Sequence, residues 1–172
     1  MEIRGRGTGA NPRNRFYRRA VELDPEAVDP EEPLPRTQFL KDAARTIVAT
    51  NDSPDVGFEA SVNPYRGCEH GCVYCYARPF HEFLGFSAGL DFETKILVKE
   101  DAPDLLRKEL ASPRWRPRTL AMSGVTDPYQ PVERRLGLTR RCLEVLAEFR
   151  NPVAIVTKNH LVTRDLDVLA GL

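Results

Sequence analysis

"RTLAMSGVTDPYQPVERRLGLTRRCLEVLAEFRNPVAIVTK" runs from Arg118 to Lys158. Its opening "RTLAMSG" (118–124) is short, apolar and followed by turn residues, which predicts a strand. Its close, "VAIVTK" (153–158), predicts another. Between them "LTRRCLEVLAEF" (138–149) places Leu138, Cys142, Val145, Leu146 and Phe149 at the three- and four-residue spacing of one helix face. Strand, helix, strand is the unit of a parallel sheet, because parallel strands need a long crossover between them.

The same grammar extends outward. "KILVK" (95–99) reads as a strand and "APDLLRKEL" (102–110) as a helix with Pro103 in its first turn. "FEASVNPY" (58–65) reads as a strand, "ARPFHEFL" (77–84) as a short helix with Pro79 in its first turn, and "RTIVAT" (45–50) as a short lead-in strand before the turn chemistry of "NDSPDVG". "TRDLDVLAGL" (163–172) opens a helix with Thr163 as its N-cap. "KILVK" and "VAIV" are apolar enough for strands buried on both faces. The class predicted is α/β with parallel strands. The sequence stops at Leu172 inside a helical pattern, and an open parallel sheet there would leave an unprotected edge. A fragment of a longer protein, or one completed by a partner, is therefore expected.

The 172 residues hold 41% apolar residues and 25 bases against 25 acids, so global charge points to no partner. Residues 1–20 carry six arginines (Arg4, Arg6, Arg13, Arg15, Arg18, Arg19) against Glu2, and read as a solvated, mobile basic arm that could also touch nucleic acid. "DPEAVDPEEPLP" (24–35) reads as a self-repelling linker. The expected division is a region 1–57 (arm, linker and lead-in strand) ahead of a core domain 58–172. No apolar run follows Met1 and none approaches a membrane span, so neither export nor a membrane is expected. Three clustered cysteines of four total do not make a secreted disulfide framework, and a reducing cytoplasmic home fits better.

Those three lie in "NPYRGCEHGCVYCYARP" (63–79), at Cys68, Cys72 and Cys75. Gly67 and Gly71 precede the first two and allow the loop to curl around a small object. Three readings compete. Structural zinc would need a fourth ligand, from His70 or His81, because Cys142 stands alone on its helix. Packing thiols would make a poor core in a Gly-rich, charged loop. An iron–sulfur cubane held by three cysteines would keep one iron open, the cluster form of an open catalytic metal site.

"CEHGCVYC", with an aromatic residue before its last cysteine, resembles the signature of the radical S-adenosylmethionine (SAM) superfamily. The resemblance implies a 4Fe-4S cluster on Cys68, Cys72 and Cys75, with SAM chelating the open iron and Tyr74 near its adenine. It implies a partial (β/α)6 TIM-like barrel over residues 58–172, truncated after about four strands and preceded by an extended arm. It also implies reductive cleavage of SAM to a 5′-deoxyadenosyl radical and a reductant such as flavodoxin or ferredoxin.

"SGVTDPYQPVE" (123–133) follows a strand, where parallel folds bind ligands. Ser123 and Gly124 permit close approach, and Asp127, held extended by Pro128, suits a ligand ammonium. By the same resemblance Ser123, Gly124, Thr126 and Asp127 contact SAM, as do Thr157 and Lys158 at the end of the next strand, Lys158 facing the SAM carboxylate. Alone, these segments would read as an ordinary turn and a solvated lysine. His160 and His81 read as surface or substrate-side residues. "TDP" and "VTK" resemble the spore photoproduct lyase branch, which implies a nucleic-acid-related substrate. Gly124 stands where that lyase carries its hydrogen-donating cysteine, so the longer run resembles more closely a group of related bacterial radical SAM proteins without an assigned reaction. The rival from another class is a non-enzymatic zinc module with a basic nucleic-acid-binding arm.

Overall fold

The computed structural model describes residues 5–17, 36–53 and 57–172. The acidic linker at 24–35, the arginines Arg4, Arg18 and Arg19, and positions 54–56 of the "NDSPDVG" turn lie outside the described residues. In chain order the strands are β1 (Gln38–Lys41), β2 (Val48–Thr50), β3 (Ala60–Val62), β4 (Tyr65–Arg66), β5 (Lys95–Val98), β6 (Leu120–Ala121) and β7 (Val153–Ala154). The helices are α1 (Leu90–Thr94), α2 (Ala102–Leu110), α3 (Glu133–Leu136), α4 (Leu138–Glu148) and α5 (Leu166–Leu169), with 3-10 segments at Arg78–Leu84 and His160–Asp165. The chain divides into two units: residues 1–40 with 67–96, and residues 41–66 with 97–172.

The second unit is mixed α/β. Its sheet has the order β2-β3-β6-β7. β3 pairs parallel with β6 (Ala60 opposite Leu120) and β6 pairs parallel with β7 (Leu120 opposite Val153), while β2 runs antiparallel to β3. The crossover from β6 to β7 is α3 and α4, as the helical spacing at 138–149 predicts. α4 buries Leu138, Cys142, Leu143, Val145 and Leu146. α2 buries Ala102, Leu106 and Leu110, one turn apart each, and packs on α4. All of these but Leu138 join Val62, Leu120, Met122 and Tyr129 in one apolar core. Burying each large aliphatic side chain contributes roughly 1.5–3 kcal/mol. Gly137, at φ +62°, makes the left-handed step between α3 and α4 with open space around it, so backbone conformation alone calls for glycine there.

Three sequence expectations are corrected. "KILVK" forms β5, which is not a strand of the parallel sheet. It pairs antiparallel with β4 (Tyr65 opposite Val98) in a small sheet of order β1-β5-β4, and alternates buried Ile96 and Val98 with half-exposed neighbours. "VAIV" is not buried on both faces. β7 is the outermost strand of its sheet, so Ala154 is exposed and Val156 is 75% exposed. The doubly buried runs are instead the central β3 and β6. The last helical segment begins earlier than Thr163. Asn159, extended at φ −96° and ψ 128°, caps it through its side-chain oxygen, which accepts the Leu161 amide. The sheet is open, and no closed barrel forms among the described residues. No helix among them is long and apolar enough to cross a membrane.

A buried ionic knot holds the loops of this unit. Glu133, fully buried, accepts the Tyr65 hydroxyl at 2.6 Å and the Thr139 amide at 2.9 Å, and pairs with Arg164 at 2.8 Å. Asp165, also fully buried, accepts Arg164, Arg140 and the Tyr129 hydroxyl. Burial raises the Tyr65 phenol far above its usual range, and the Glu133 charge adds to that. Burial also opposes ionisation of Asp165, but hydrogen bonds from Arg164 and Arg140 outweigh it and hold the carboxyl below the usual range.

The first unit corrects the expectation of a solvated arm. Asn14 is buried, its amide donating to the Glu82 and Phe86 carbonyls at 2.8 and 2.9 Å. Arg15 pairs with Glu82 at 3.0 Å. Residues 5–17 are docked because their arginines and amides meet acids of the same unit.

Glu133→Ala should cost about 1–3 kcal/mol in denaturant unfolding, because it strands the buried Tyr65 hydroxyl and the Thr139 amide without an acceptor. A lowered Asp165 pKa stabilises the fold above the ordinary aspartate value of about 3.9 and loses that contribution as pH falls below it. Asp165→Asn should therefore flatten the stability-versus-pH slope in that acid range; an unchanged slope would contradict the knot.

Candidate metal centre

The cysteine loop lies wholly in the first unit. Gly67 (φ +79°) and Gly71 (φ +63°) both take the left-handed conformation that only glycine adopts cheaply. A side chain at Gly67 would press on the Phe92 and Lys95 carbonyls at 3.0 and 3.1 Å, and one at Gly71 would meet Arg6 Cβ at 2.7 Å. Turn hydrogen bonds then wind the loop: Gly71 N–H to Cys68 O, Cys75 N–H to Cys72 O, and Arg78 N–H to Cys75 O, at 3.2 to 3.3 Å. The Cys68 amide ties the base of the loop to Phe92 O at 2.9 Å.

Arg78 fixes the outer part. Its side chain is buried, and every guanidinium N–H direction meets an acceptor. Nε donates to Cys72 O (2.8 Å), one terminal nitrogen to Ala88 O and Gly89 O (3.1 and 2.9 Å), and the other to Gly71 O (2.8 Å) and Glu93 Oε1 (2.6 Å). Glu93 is fully buried and its other oxygen accepts the Arg6 and Gly7 amides at 2.5 and 3.1 Å. A buried ion pair is costly unless its remaining sites are filled. Here they are filled, by backbone.

None of the three loop cysteines is in a disulfide. Cys68 is buried and packs with Ala77 and Phe92, while Cys72 and Cys75 are partly exposed. Tyr74, beside Cys75, is 83% exposed and so is no core residue. Among the described residues no three His, Cys, Asp or Glu side chains converge on one point as a single-ion cage would require. A cubane asks for less convergence, since each thiolate binds a different iron. Three cysteines on one backbone-braced loop, two of them partly exposed, have the donor chemistry such a cluster takes.

His81 is not the surface residue expected. It is 2% exposed, edge-on to Phe92 with ring centroids 5.6 Å apart, and its Nε2 meets no hydrogen-bond partner. Burial pushes its pKa down to about 4, against smaller raising effects of the Asp91 charge and of the Asp91 and Lys95 backbone. Its neighbours are aromatic rings on the inner side of the 3-10 segment, which is why it is interior. His160 is exposed as expected. Cys142 is fully buried on α4, where burial first and the Glu133 charge second push its thiol up to about 12.

The second constellation lies in the second unit, and there the structure brings its residues together. Ser123 Oγ accepts the Val156 amide at 2.7 Å. A side chain at Gly124 would meet Ser61 Oγ and Asn63 Nδ2 at 3.1 and 3.2 Å, so the backbone approach there is close. Thr126 is buried and accepts from Gln130 at 3.0 Å. Asp127 joins the two rim segments. Oδ1 accepts the Tyr129 amide (2.8 Å) and the Thr157 hydroxyl (2.7 Å), and Oδ2 accepts the Lys158 amide (3.1 Å). Its oxygens thus hold the rim in shape. The Lys158 side chain lies on an exposed residue.

Sequence reasoning missed Arg78, Glu93, Asn63 and Asn159. Asn63 Oδ1 accepts the Val125 amide at 3.2 Å and Asn159 Nδ2 donates to Tyr129 O at 2.5 Å. Glu93 carried a usable signal, as an acid one residue from Phe92 and two residues before β5. Arg78 carried another, as an arginine three residues after a clustered cysteine.

No family model matches the chain, and no solved structure matches it. Curated relatives do. The uncharacterized proteins Rv2578c of Mycobacterium tuberculosis and Mb2609c of Mycobacterium bovis are each 46% identical over 113 residues, which is 66% of this chain and 33% of each relative. The uncharacterized protein MJ0683 of Methanocaldococcus jannaschii is 33% identical over 133 residues, 77% of this chain and 47% of that protein. The chain thus matches less than half the length of these relatives.

In brief alkylation of the native protein Cys72 and Cys75 should react first, Cys68 slowly, and Cys142 last. Arg78→Ala strands Glu93 and should cost about 3–5 kcal/mol. It should also bring Cys68 to the rate of its neighbours; an unchanged alkylation order would contradict the bracing role.

Proposed function

We propose that this chain is the cluster-bearing part of a radical SAM enzyme. The observation that carries the reading is the C-x3-C-x2-C loop, without a disulfide, curled by two positive-φ glycines and braced by Arg78. Cys68, Cys72 and Cys75 would hold three irons of a 4Fe-4S cluster and leave the fourth for SAM. When bound and reduced, such a cluster supplies the electron that cleaves SAM to methionine and a 5′-deoxyadenosyl radical.

The chain's own residues do the holding. Cys68 anchors the buried base of the loop, and Arg78 keeps the Cys72 carbonyl from swinging. Tyr74 offers an exposed ring for the adenine. Ser123, Gly124 and Thr126 shape the rim after β6, Asp127 clamps Thr157 and the Lys158 amide, and by the resemblance the Lys158 ammonium would pair with the SAM carboxylate. For the fold, β3, β6 and β7 would be strands of a partial (β/α)6 barrel, supported by their parallel register and by the rim at their C-terminal ends. β2 is antiparallel and stands outside that pattern. The electron would come from a flavodoxin or ferredoxin in the cytoplasm. The substrate class, nucleic-acid-related by likeness to the lyase branch, rests on resemblance alone.

Anaerobically reconstituted, reduced protein should release 5′-deoxyadenosine from SAM, and Cys72→Ala should release none. Asp127→Ala should weaken SAM binding about tenfold, the equivalent of roughly 1.4 kcal/mol, with iron content unchanged. No deoxyadenosine from iron-loaded wild type would overturn the proposed activity.

A further inference from the structure

Resting on that cluster reading, we propose that residues 5–15 are a strap that braces the cysteine loop, fastened at Glu93, so that strap docking and cluster retention are coupled.

The geometry is a shared carboxylate. Glu93 Oε1 holds Arg78, and Arg78 holds the Gly71 and Cys72 carbonyls. Glu93 Oε2 holds the Arg6 and Gly7 amides, and the Arg6 guanidinium reaches Glu93 O at 2.7 Å. One buried acid therefore grips the loop with one oxygen and the strap with the other. The crossing point is glycine on both sides. A β-carbon on Gly7 would land on the Gly71 carbonyl oxygen, and one on Gly71 would strike Arg6. Only two glycines let the strap lie against the loop between Cys68 and Cys72.

Farther along, Asn11 and Asp91 bond reciprocally at 3.1 and 3.2 Å, and Asn14 and Arg15 are held as described. Of the strap's arginines, Arg6 lies 3.8 Å from the Glu69 carboxylate and Arg15 pairs with Glu82, while Arg13 donates to the nearby Tyr17 carbonyl. Lifting it would strip Oε2 of two donors, admit water to a fully buried carboxylate and loosen the loop that carries the thiolates. Conversely, thiolates fixed by metal would steady the Gly71 and Cys72 carbonyls, and through Arg78 the acid that docks the strap.

Gly7→Ala tests this, because the added methyl displaces the strap while leaving Glu93, Arg78 and the cysteines in place. Tryptic cleavage after Arg13 and Arg15, followed by mass spectrometry on the full chain, reads strap docking. In wild type it should be slow, and slower still after anaerobic reconstitution with iron and sulfide. Gly7→Ala should be cut about tenfold faster at both bonds and should lose its iron in air about tenfold faster, yet load the same iron without oxygen. Glu93→Gln keeps the shape and weakens both grips, and should fall between the two. Equal cleavage and equal air loss in wild type and Gly7→Ala, with iron in both, would overturn the strap. Wild type that loads no iron would overturn the cluster reading and the coupling with it, and metal content alone tells the two failures apart.

Discussion

The first unit depends on the Arg78–Glu93 pair. A guanidinium and a carboxylate out of water would cost several kcal/mol each if they faced only one another. Instead they organise backbone. Arg78 collects four carbonyls besides Glu93, and Glu93 collects two amides besides Arg78. A Gly-rich loop has little apolar surface with which to hold itself. This pair replaces the missing core with a polar one, and leaves Cys72 and Cys75 open while their backbone is fixed. Lysine could not substitute, because its single ammonium cannot span carbonyls in a planar fork.

The second unit solves a different problem by related means. Its apolar core sets the sheet and the two long helices, but the loops after β6 and β7 are polar and need tethers. Asp127 ties one to the other, and Glu133 with Asp165, Arg140 and Arg164 ties the last turns to the α3–α4 corner. Carboxylates that bind backbone amides act here as fixed staples. Ser123, Thr157 and Lys158 are thereby held at one strand-end rim, a position at which parallel sheets present ligand-binding groups.

Much of this was legible in the residues. The faces of α2 and α4 follow from the spacing of Leu106, Leu110, Leu138, Cys142 and Leu146. The curl at Gly67 and Gly71 follows from glycine beside cysteine. The rim follows from turn residues after an apolar run. What was not legible was anything set by partners distant in sequence. Apolarity cannot say whether "KILVK" pairs in the main sheet or beside it, since both bury Ile96 and Val98. The same limit hid the edge position of "VAIV". Arg6 and Arg15 looked like solvated charge because their acids, Glu69 and Glu82, are far along the chain. His81 looked exposed because its aromatic neighbours Phe86 and Phe92 stand on the far side of a turn.

The chemistry of the first unit turns on what the three loop thiols bind. Iron, acid-labile sulfide and zinc should be counted per chain after anaerobic reconstitution, in wild type and in Cys72→Ala. About four iron and four sulfide in wild type, lost in the variant, is the result predicted for a cubane on this loop. Stoichiometric zinc without sulfide would contradict it, and would make Cys68, Cys72 and Cys75 part of a structural zinc knuckle.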